Sequence, residues 1–438
     1  MKQLLLRWLQ RAGLANLRGR GYGTTVKGQV AVLLLNVFTG VASARLLGPQ
    51  GRGQLQALLL WPSVLMMLGA MGMNQAIVFH VGKRLFKVSE IWTATLAIAL
   101  GQSALVIFAG IILLPLALRN YPGFVREYAF IFLLFTPILM TGGYPSSFLQ
   151  GKLDMASYNA VRCMPGFVYA LGLAALACLR RGNLAGVFTF QLLGSVAAGS
   201  VAYALLLKKE KLRLAWNRRA ALSLSKYGFK TQFESVNTYI NQRVDQLLLS
   251  LFVAPRELGL YVVAVTLSLA VSFFPQAMGI VTLASGSNLP PSEARQAISL
   301  SFRLSLVWLS LLCTGLFVVA PQLIMFFFGS KFAGSVLACR ILLPGTAFLG
   351  LRQVLYEGAR ALGKPAFPSY AEGFGTLVTI AALYLLLPRY GFVGAAIAST
   401  LAYGTSFVFI LLFCEYRLQI SLRQLFGASP VPVVGRSV

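Results

Sequence analysis

The sequence predicts an all-α integral membrane protein: twelve transmembrane helices in two pseudo-symmetric six-helix bundles, with both termini in the cytoplasm. Three observations carry this. The 438 residues are 57% hydrophobic and 11% charged, and the apolar residues gather in runs long enough to cross a bilayer, which takes ~20 residues at ~1.5 Å rise. Lys and Arg outside those runs concentrate in alternate connections. The two halves of the chain also repeat each other.

In chain order, the apolar runs fall at 25–47, 54–80, 91–118, 126–150, 156–180, 184–208, 226–253, 256–284, 295–320, 333–361, 365–387 and 392–415. Pro165, Pro275 and Pro344 sit inside runs and predict kinks. Before the first run, 1–24 lacks the continuous apolar core of a signal peptide. Leu5, Trp8, Leu9 and Ala12 share one helical face and Arg7, Arg11 and Arg18 another, which fits a helix lying on the membrane surface or a plain basic tail. Spans 25–208 form one bundle and 226–415 the other. Between them the connector 209–225 carries Lys209, Lys211, Arg213, Arg218 and Arg219. The tail 416–438 follows, and from Gly427 it reads as unstructured. The net charge of +27 would suggest a nucleic-acid partner in a soluble chain. Here the cations lie between apolar runs and report orientation instead, placing the connector and both termini inside.

The repeat is the most specific signal. Gly151-Lys152 followed by Ser157-Tyr158 matches Gly363-Lys364 followed by Ser369-Tyr370, an offset of 212. Tyr22-Gly23 matches Tyr227-Gly228, Pro49 matches Pro255 and Gly53 matches Gly259, at offsets of 205–206. Six spans per repeat is an even number, so both halves share one orientation. That predicts a pseudo-twofold axis along the membrane normal and a cleft between bundles, lined by the first, second, seventh and eighth spans.

The seventh span does not fit lipid. Lys230, Glu234, Asn237, Asn241 and Asp245 recur at spacings of 4, 3, 4 and 4, which at ~100° per residue is one stripe about 80° wide. Arg243 points the other way, beside Gln232 and Gln246. A charge at the centre of a lipid-facing helix costs ~2.5–3.5 kcal/mol on insertion scales, so this helix faces protein or a water-filled cavity. In the first span Gln29, Asn36 and Ser43 share a stripe, and Asn36 aligns with Asn241 in the repeat.

Four stretches carry a resemblance. ARLLGPQGRGQL (Ala44–Leu55), FLQGKLDMASYN (Phe148–Asn159), INQRVDQLLLSLFVAPRELGLY (Ile240–Tyr261) and LLLPRYGFVGAAIAST (Leu385–Thr400) look like the bacterial oligosaccharide flippases. These are Wzx-type polysaccharide transporters of the multidrug/oligosaccharidyl-lipid/polysaccharide (MOP) superfamily, which also holds the multidrug-and-toxin extrusion (MATE) transporters. The resemblance covers roughly residues 20–415. It implies a MATE-like fold in the bacterial inner membrane, alternating access, and movement of polyprenyl-diphosphate-linked oligosaccharide to the outer leaflet for cell-surface polysaccharide synthesis. Membrane lipids, a polysaccharide polymerase and chain-length machinery are the partners it implies. A multidrug antiporter of the same superfamily and a non-transporting scaffold of a polysaccharide assembly stand as alternatives.

Inside the spans, Lys27, Arg162, Lys230, Arg243, Arg303, Arg340 and Arg352 outnumber Glu234, Asp245, Glu357 and Glu372. This surplus would attract an anionic diphosphate and repel a cationic drug. Candidate cavity residues are Lys27, Asn36, Arg162, Lys230, Asn237, Asn241 and Arg352. Glu234, Asp245, Arg340 and Glu357 are candidates for ion pairs or for coupling to a proton, sodium ion or the membrane potential. Depth in the bilayer predicts Glu234 with Arg352 and Asp245 with Arg340 across the seventh and tenth spans, with Glu357 competing for Arg352. Arg45 and Arg52 fall in the first outside loop. Enzyme chemistry is not expected. One histidine (His80), five scattered cysteines without metal-ligand spacing, read as small buried hydrophobes, and short outer loops whose acids are Glu127 and Glu257 leave no catalytic set, no metal site and no cofactor site.

Overall fold

The computed structural model describes residues 20–286, 289–364 and 366–427, and among them there is no strand. The helices are α1 (Arg20–Gly69), α2 (Met73–Lys83), α3 (Val88–Ala117), α4 (Gly123–Leu134), α5 (Thr136–Gly151), α6 (Met155–Cys178) and α7 (Leu184–Lys209) in the first half. The second half holds α8 (Arg218–Phe252), α9 (Pro255–Leu269), α10 (Phe273–Gly286), α11 (Pro291–Phe328), α12 (Ser335–Ala361), α13 (Ala366–Leu418) and α14 (Leu422–Phe426). Eight helical stretches are long and apolar enough to cross a membrane, nine if the pair α4 and α5, bent by 49°, counts as one span. Two of the eight are really double. α1 breaks at Gly48 (φ 66°) and α13 at Gly391 (φ 55°), so each is two rods. With α8, which is helical throughout but polar, the order of rods is in keeping with the twelve segments read from the sequence.

Local chemistry explains the breaks. Gly48 supplies the reversal that an L side chain resists, and Pro49, with no N–H to leave unpaired, opens the next rod. The second rod therefore starts at Pro49 rather than at 54. Pro275 has no N–H to donate to the carbonyl of Val271, four residues back; just before it the helix tightens through a 3-10 segment, Ala270–Ser272, that separates α9 from α10. The connector is shorter than 209–225. Asn217 accepts the N–H groups of Arg219 and Ala220 and starts α8 at Arg218.

The lipid-facing surface is legible in the exposures. On α3, Leu105, Phe108, Ile112 and Leu116 are exposed at helical spacing, as are Val307, Leu311 and Val318 on α11. The opposite faces pack inward: α6 lies against α1 and α7, and α12 against α10, α11 and α13. Small residues allow the closest approaches, as where Gly142 of α5 meets Gly199 of α7; a Cβ on the former would lie 3.1 Å from the other's Cα. The cysteines are not uniformly buried: Cys339 and Cys414 are, but Cys178 at the end of α6 is exposed. Residues 1–19 and 428–438, which include most of the expected surface segment and tail, lie outside the described residues.

Candidate functional site: a cationic cavity between the bundles

A cavity of about 500 Å³ lies between the two halves, lined by both rods of α1, by α6, α7, α8 and α9, and by Phe273 of α10. That size is in the usual range for a ligand pocket. Most of its polar lining is neutral: Asn36, Thr39, Ser43, Gln56 and Ser63 on α1, Gln191 on α7, Gln246 on α8 and Thr266 on α9. Two lining residues are charged, both arginines, and among the described residues no Asp or Glu joins them. Arg52 comes from the second rod of α1 and Arg243 from α8, so each half contributes one. The Nε of Arg52 is buried and finds no acceptor among the described residues. Arg243 donates from Nη1 to Oε1 of Gln246 at 3.3 Å, and the same oxygen accepts Nε2 of Gln56 at 2.8 Å. One amide thus ties the second rod of α1 to α8 across the cavity and holds Arg243.

Contacts between the halves flank the cavity at both ends. At the end the cation distribution puts outside, Gly53 and Gly259 lie against each other's rods. A Cβ on Gly53 would stand 1.7 Å from the carbonyl oxygen of Pro255, and one on Gly259 1.9 Å from that of Pro49. Nearby, Arg45 donates from Nε to the carbonyl of Phe327 at 2.6 Å and from Nη2 to that of Phe326, at the C-terminal end of α11. At the inside end, Gly72 and Gly228 make the close approach, where a Cβ on Gly72 would lie 2.2 Å from the carbonyl oxygen of Gly228. Gln232 donates to the carbonyl of Met67 at 2.9 Å, Phe79 stacks on Tyr227 with centroids 4.3 Å apart, and Nε2 of His80 meets Ser223 Oγ at 2.8 Å. The lone histidine is therefore a buried contact between halves.

A family model described as "Polysaccharide biosynthesis protein" matches residues 19–285. The chain belongs to that family. The solved structures it resembles share its fold at low identity. The lipid II flippase MurJ in an inward-closed conformation matches with TM-score 0.75 and 16% identity over 92% of this chain and 90% of that one. An inward-facing multidrug resistance MATE transporter of the MOP superfamily matches at 0.70 and 15%, over 89% and 94%. A MOP superfamily transporter from Pyrococcus furiosus, described as having a binding pocket of reverse polarity, matches at 0.59 and 14%, over 92% and 97%. An uncharacterized membrane protein of Methanocaldococcus jannaschii is 22% identical over 217 residues, 48% of this chain and 43% of that protein, so the match spans less than half of the relative. This member of the polysaccharide biosynthesis family is thus a multi-pass membrane protein with the fold of MOP transporters, and the solved structures that share the fold are described as a flippase and as transporters.

Of the candidate cavity residues named from the sequence, Asn36 lines the cavity. Lys27, Glu234, Asn237 and Asn241 are on helical backbone, but their side chains lie outside the described residues. Arg162 does not line the cavity; half-buried on α6, it sits over the ring of Tyr158 at 5.6 Å. Lys230 is exposed. Of the two pairs expected from depth, Asp245 with Arg340 is not the pair formed, and Glu234 with Arg352 falls on a side chain outside the described residues. Arg352 is buried and takes Glu372 of α13, at 3.1 Å, with its guanidinium over the rings of Tyr356 and Tyr403. Glu357 accepts from Gln353 and Arg360, each at 2.9 Å, rather than from Arg352. Arg340 turns to α11, donating to the carbonyl of Phe317 at 3.0 Å and lying over its ring. Asp245 is buried and held by neutral donors: the hydroxyls of Tyr261 at 2.5 Å and Ser399 at 3.2 Å, and the N–H of Gln246 at 2.7 Å. Depth fixes level, not azimuth, and both arginines found partners on neighbouring helices of the second bundle.

Asp245→Ala is therefore expected to strand the Tyr261 and Ser399 hydroxyls and to lower stability by about 1–3 kcal/mol, read as a fall in the thermal melting temperature in detergent. Adding Arg340→Ala should not recover it; recovery would restore the Asp245–Arg340 pairing.

Arg52 and Arg243, named in the sequence but not among the candidate cavity residues, are the charged residues that line the cavity. Arg243 was visible as the charge opposite the polar stripe of the seventh span. Arg52 was hidden because the first turn of the second rod, Pro-Gln-Gly-Arg-Gly-Gln, reads as a loop; proline at the first helical position was the signal that could have recovered it.

Proposed function

We propose that this protein flips a polyprenyl-diphosphate-linked oligosaccharide from the cytoplasmic to the outer leaflet of the bacterial inner membrane by alternating access, for cell-surface polysaccharide synthesis. One observation carries the reading: the cavity presents an arginine from each half and, among the described residues, no carboxylate. A diphosphate group accepts charge-assisted hydrogen bonds from both guanidiniums at once, and the neutral amides and hydroxyls around them match sugar hydroxyls. A cationic drug would meet only repulsion there. The family membership supports a substrate on the path to polysaccharide, and the flanking contacts between halves supply elements that could open in turn. A polysaccharide polymerase and chain-length machinery would take the product. Asp245, buried behind Arg243 and held by Tyr261 and Ser399, is the described carboxylate best placed to couple the cycle to a proton or sodium ion. In proteoliposomes the purified chain should move a labelled polyprenyl-diphosphate oligosaccharide between leaflets and leave a cationic dye unmoved. Movement of the dye and not of the lipid would assign multidrug export, and movement of neither a scaffold role.

A further inference from the structure

We propose that the connector between the bundles, with the first turn of α8, binds anionic phospholipid headgroups of the leaflet it faces. This site is separate from the cavity and does not depend on the transported substrate.

The chain between Lys209 and Arg218 has no helix; its ends, Glu210 (φ −131°, ψ 131°) and Asn217 (φ −135°, ψ 107°), are extended, and near the start the N–H of Leu212 turns back to the carbonyl of Glu210 at 3.0 Å. It is strapped to the start of α3: the N–H of Arg213 reaches Ser89 Oγ at 3.3 Å, the N–H of Ala215 reaches Thr93 Oγ1 at 2.9 Å, and Asn217 Nδ2 reaches Glu90 Oε1 at 3.1 Å. Thr93 lies five residues past the first residue of α3, so the strap reaches ~8 Å along that helix. A segment held there runs at the depth where a span enters the headgroup region.

At that depth its side chains are of two kinds. Leu214 is 83% exposed and Trp216 62%, and Leu222, one turn into α8, is 60% exposed. Large apolar groups so exposed would be a liability in water, whereas tryptophan and leucine are at home at the headgroup boundary. Lys211, Arg213, Arg218 and Arg219 are exposed among them. The acids nearby are already engaged: Glu210 pairs with Lys152, Asp154 with Lys209, and Glu90 accepts from Asn217. None of the four cations has a carboxylate partner among the described residues. Apolar groups to enter the acyl boundary, framed by unpaired cations at the level of the phosphates, are complementary to a negatively charged lipid surface, where each Lys or Arg contributes about 1 kcal/mol.

Trp216 is the reporter. The full-length protein is reconstituted in mixed vesicles of phosphatidylcholine and phosphatidylglycerol at equal mole fractions, with bromine on the acyl chains of one lipid or the other. The fluorescence difference between the native chain and Trp216→Phe isolates Trp216. Quenching at least about threefold stronger from brominated phosphatidylglycerol is expected. Lys211→Gln, Arg213→Gln, Arg218→Gln and Arg219→Gln together should make the two lipids equivalent, while quenching of the half-exposed Trp308 in α11 reports that this variant is inserted. Equal quenching by both lipids in the native chain overturns the proposal in favour of apolar anchoring alone. No quenching by either also overturns it, since Trp216 would then face water or another protein. A preference that survives the four substitutions would remove the cations from the site.

Discussion

Arg243→Gln should lower movement of the diphosphate-linked lipid by about 10–100-fold, the loss of one charge-assisted contact of about 1.5–3 kcal/mol to a doubly bonded anion. The substitution removes the charge and shortens the side chain, giving up the bond to Gln246, but the Gln56–Gln246 bond does not depend on residue 243, so the tie between the halves can persist and the fold should survive. Arg243→Lys restores charge without the planar fork and should recover part of the rate. Arg52→Gln should act in the same direction, because its Nε is a buried donor without an acceptor among the described residues. The two together are expected to cost less than the product of the single losses: once one guanidinium is gone, the anion can no longer bridge the halves and the second contact is worth less. Lys230→Gln is the comparison. Its ammonium is exposed outside the cavity, so it should leave transport within about twofold. If Arg243→Gln and Lys230→Gln behave alike, the cavity does not hold the anion. Proteoliposome transport of the labelled lipid, with binding measured separately in detergent, distinguishes a lost site from a stalled cycle.

What could be read from the sequence follows a physical division. Hydropathy and the repeat depend on composition and spacing, which survive without coordinates. Pro49 with Pro255 and Gly53 with Gly259 were aligned as equivalent positions, and in three dimensions they meet each other at the outer contact. The cavity's position between the halves was likewise inferable from six spans per repeat. Side-chain partners were not, because a helix can present a charge at a given depth to any of several neighbours. Glu372 is seven residues into its predicted span, at nearly the level expected for Arg352, and on an adjacent helix, yet depth matching chose Glu234 across the interface. Tyr261 and Ser399 were missed as partners of Asp245 because hydroxyls in apolar runs carry no charge signal; only their geometry shows that three neutral donors can satisfy a buried carboxylate. Arg52 was hidden by a boundary error of about one and a half helical turns.

Gly259→Ala should shift the protein away from the conformation described here, toward one open at the outer end, and lower transport by at least about tenfold. The reason is steric and local. The new Cβ would stand 1.9 Å from the carbonyl oxygen of Pro49, far inside van der Waals contact, and that oxygen belongs to the first turn of a rod rather than to a flexible side chain. Neither element can yield alone, because Gly53 makes the reciprocal approach to Pro255. The halves must part at this end, and overpacking of this kind costs about 1–3 kcal/mol or more, enough to change the ratio of two conformations by about 5–150-fold. A Thr266→Cys reporter in the cavity lining should then react faster with an impermeant maleimide added outside. Gly53→Ala should do the same. Arg45→Gln tests the seal without adding bulk, since it removes the bonds to the carbonyls of Phe326 and Phe327 and should raise the same labelling rate more weakly. Gly315→Ala, where a Cβ would meet nothing within 4 Å, should change neither labelling nor transport. A melting curve for each variant separates a shifted conformation from a failed fold: a shifted protein still melts cooperatively. If Gly259→Ala stays folded, labels at the native rate and transports normally, the glycine contact is packing between bundles that never separate there, and the outer opening lies elsewhere.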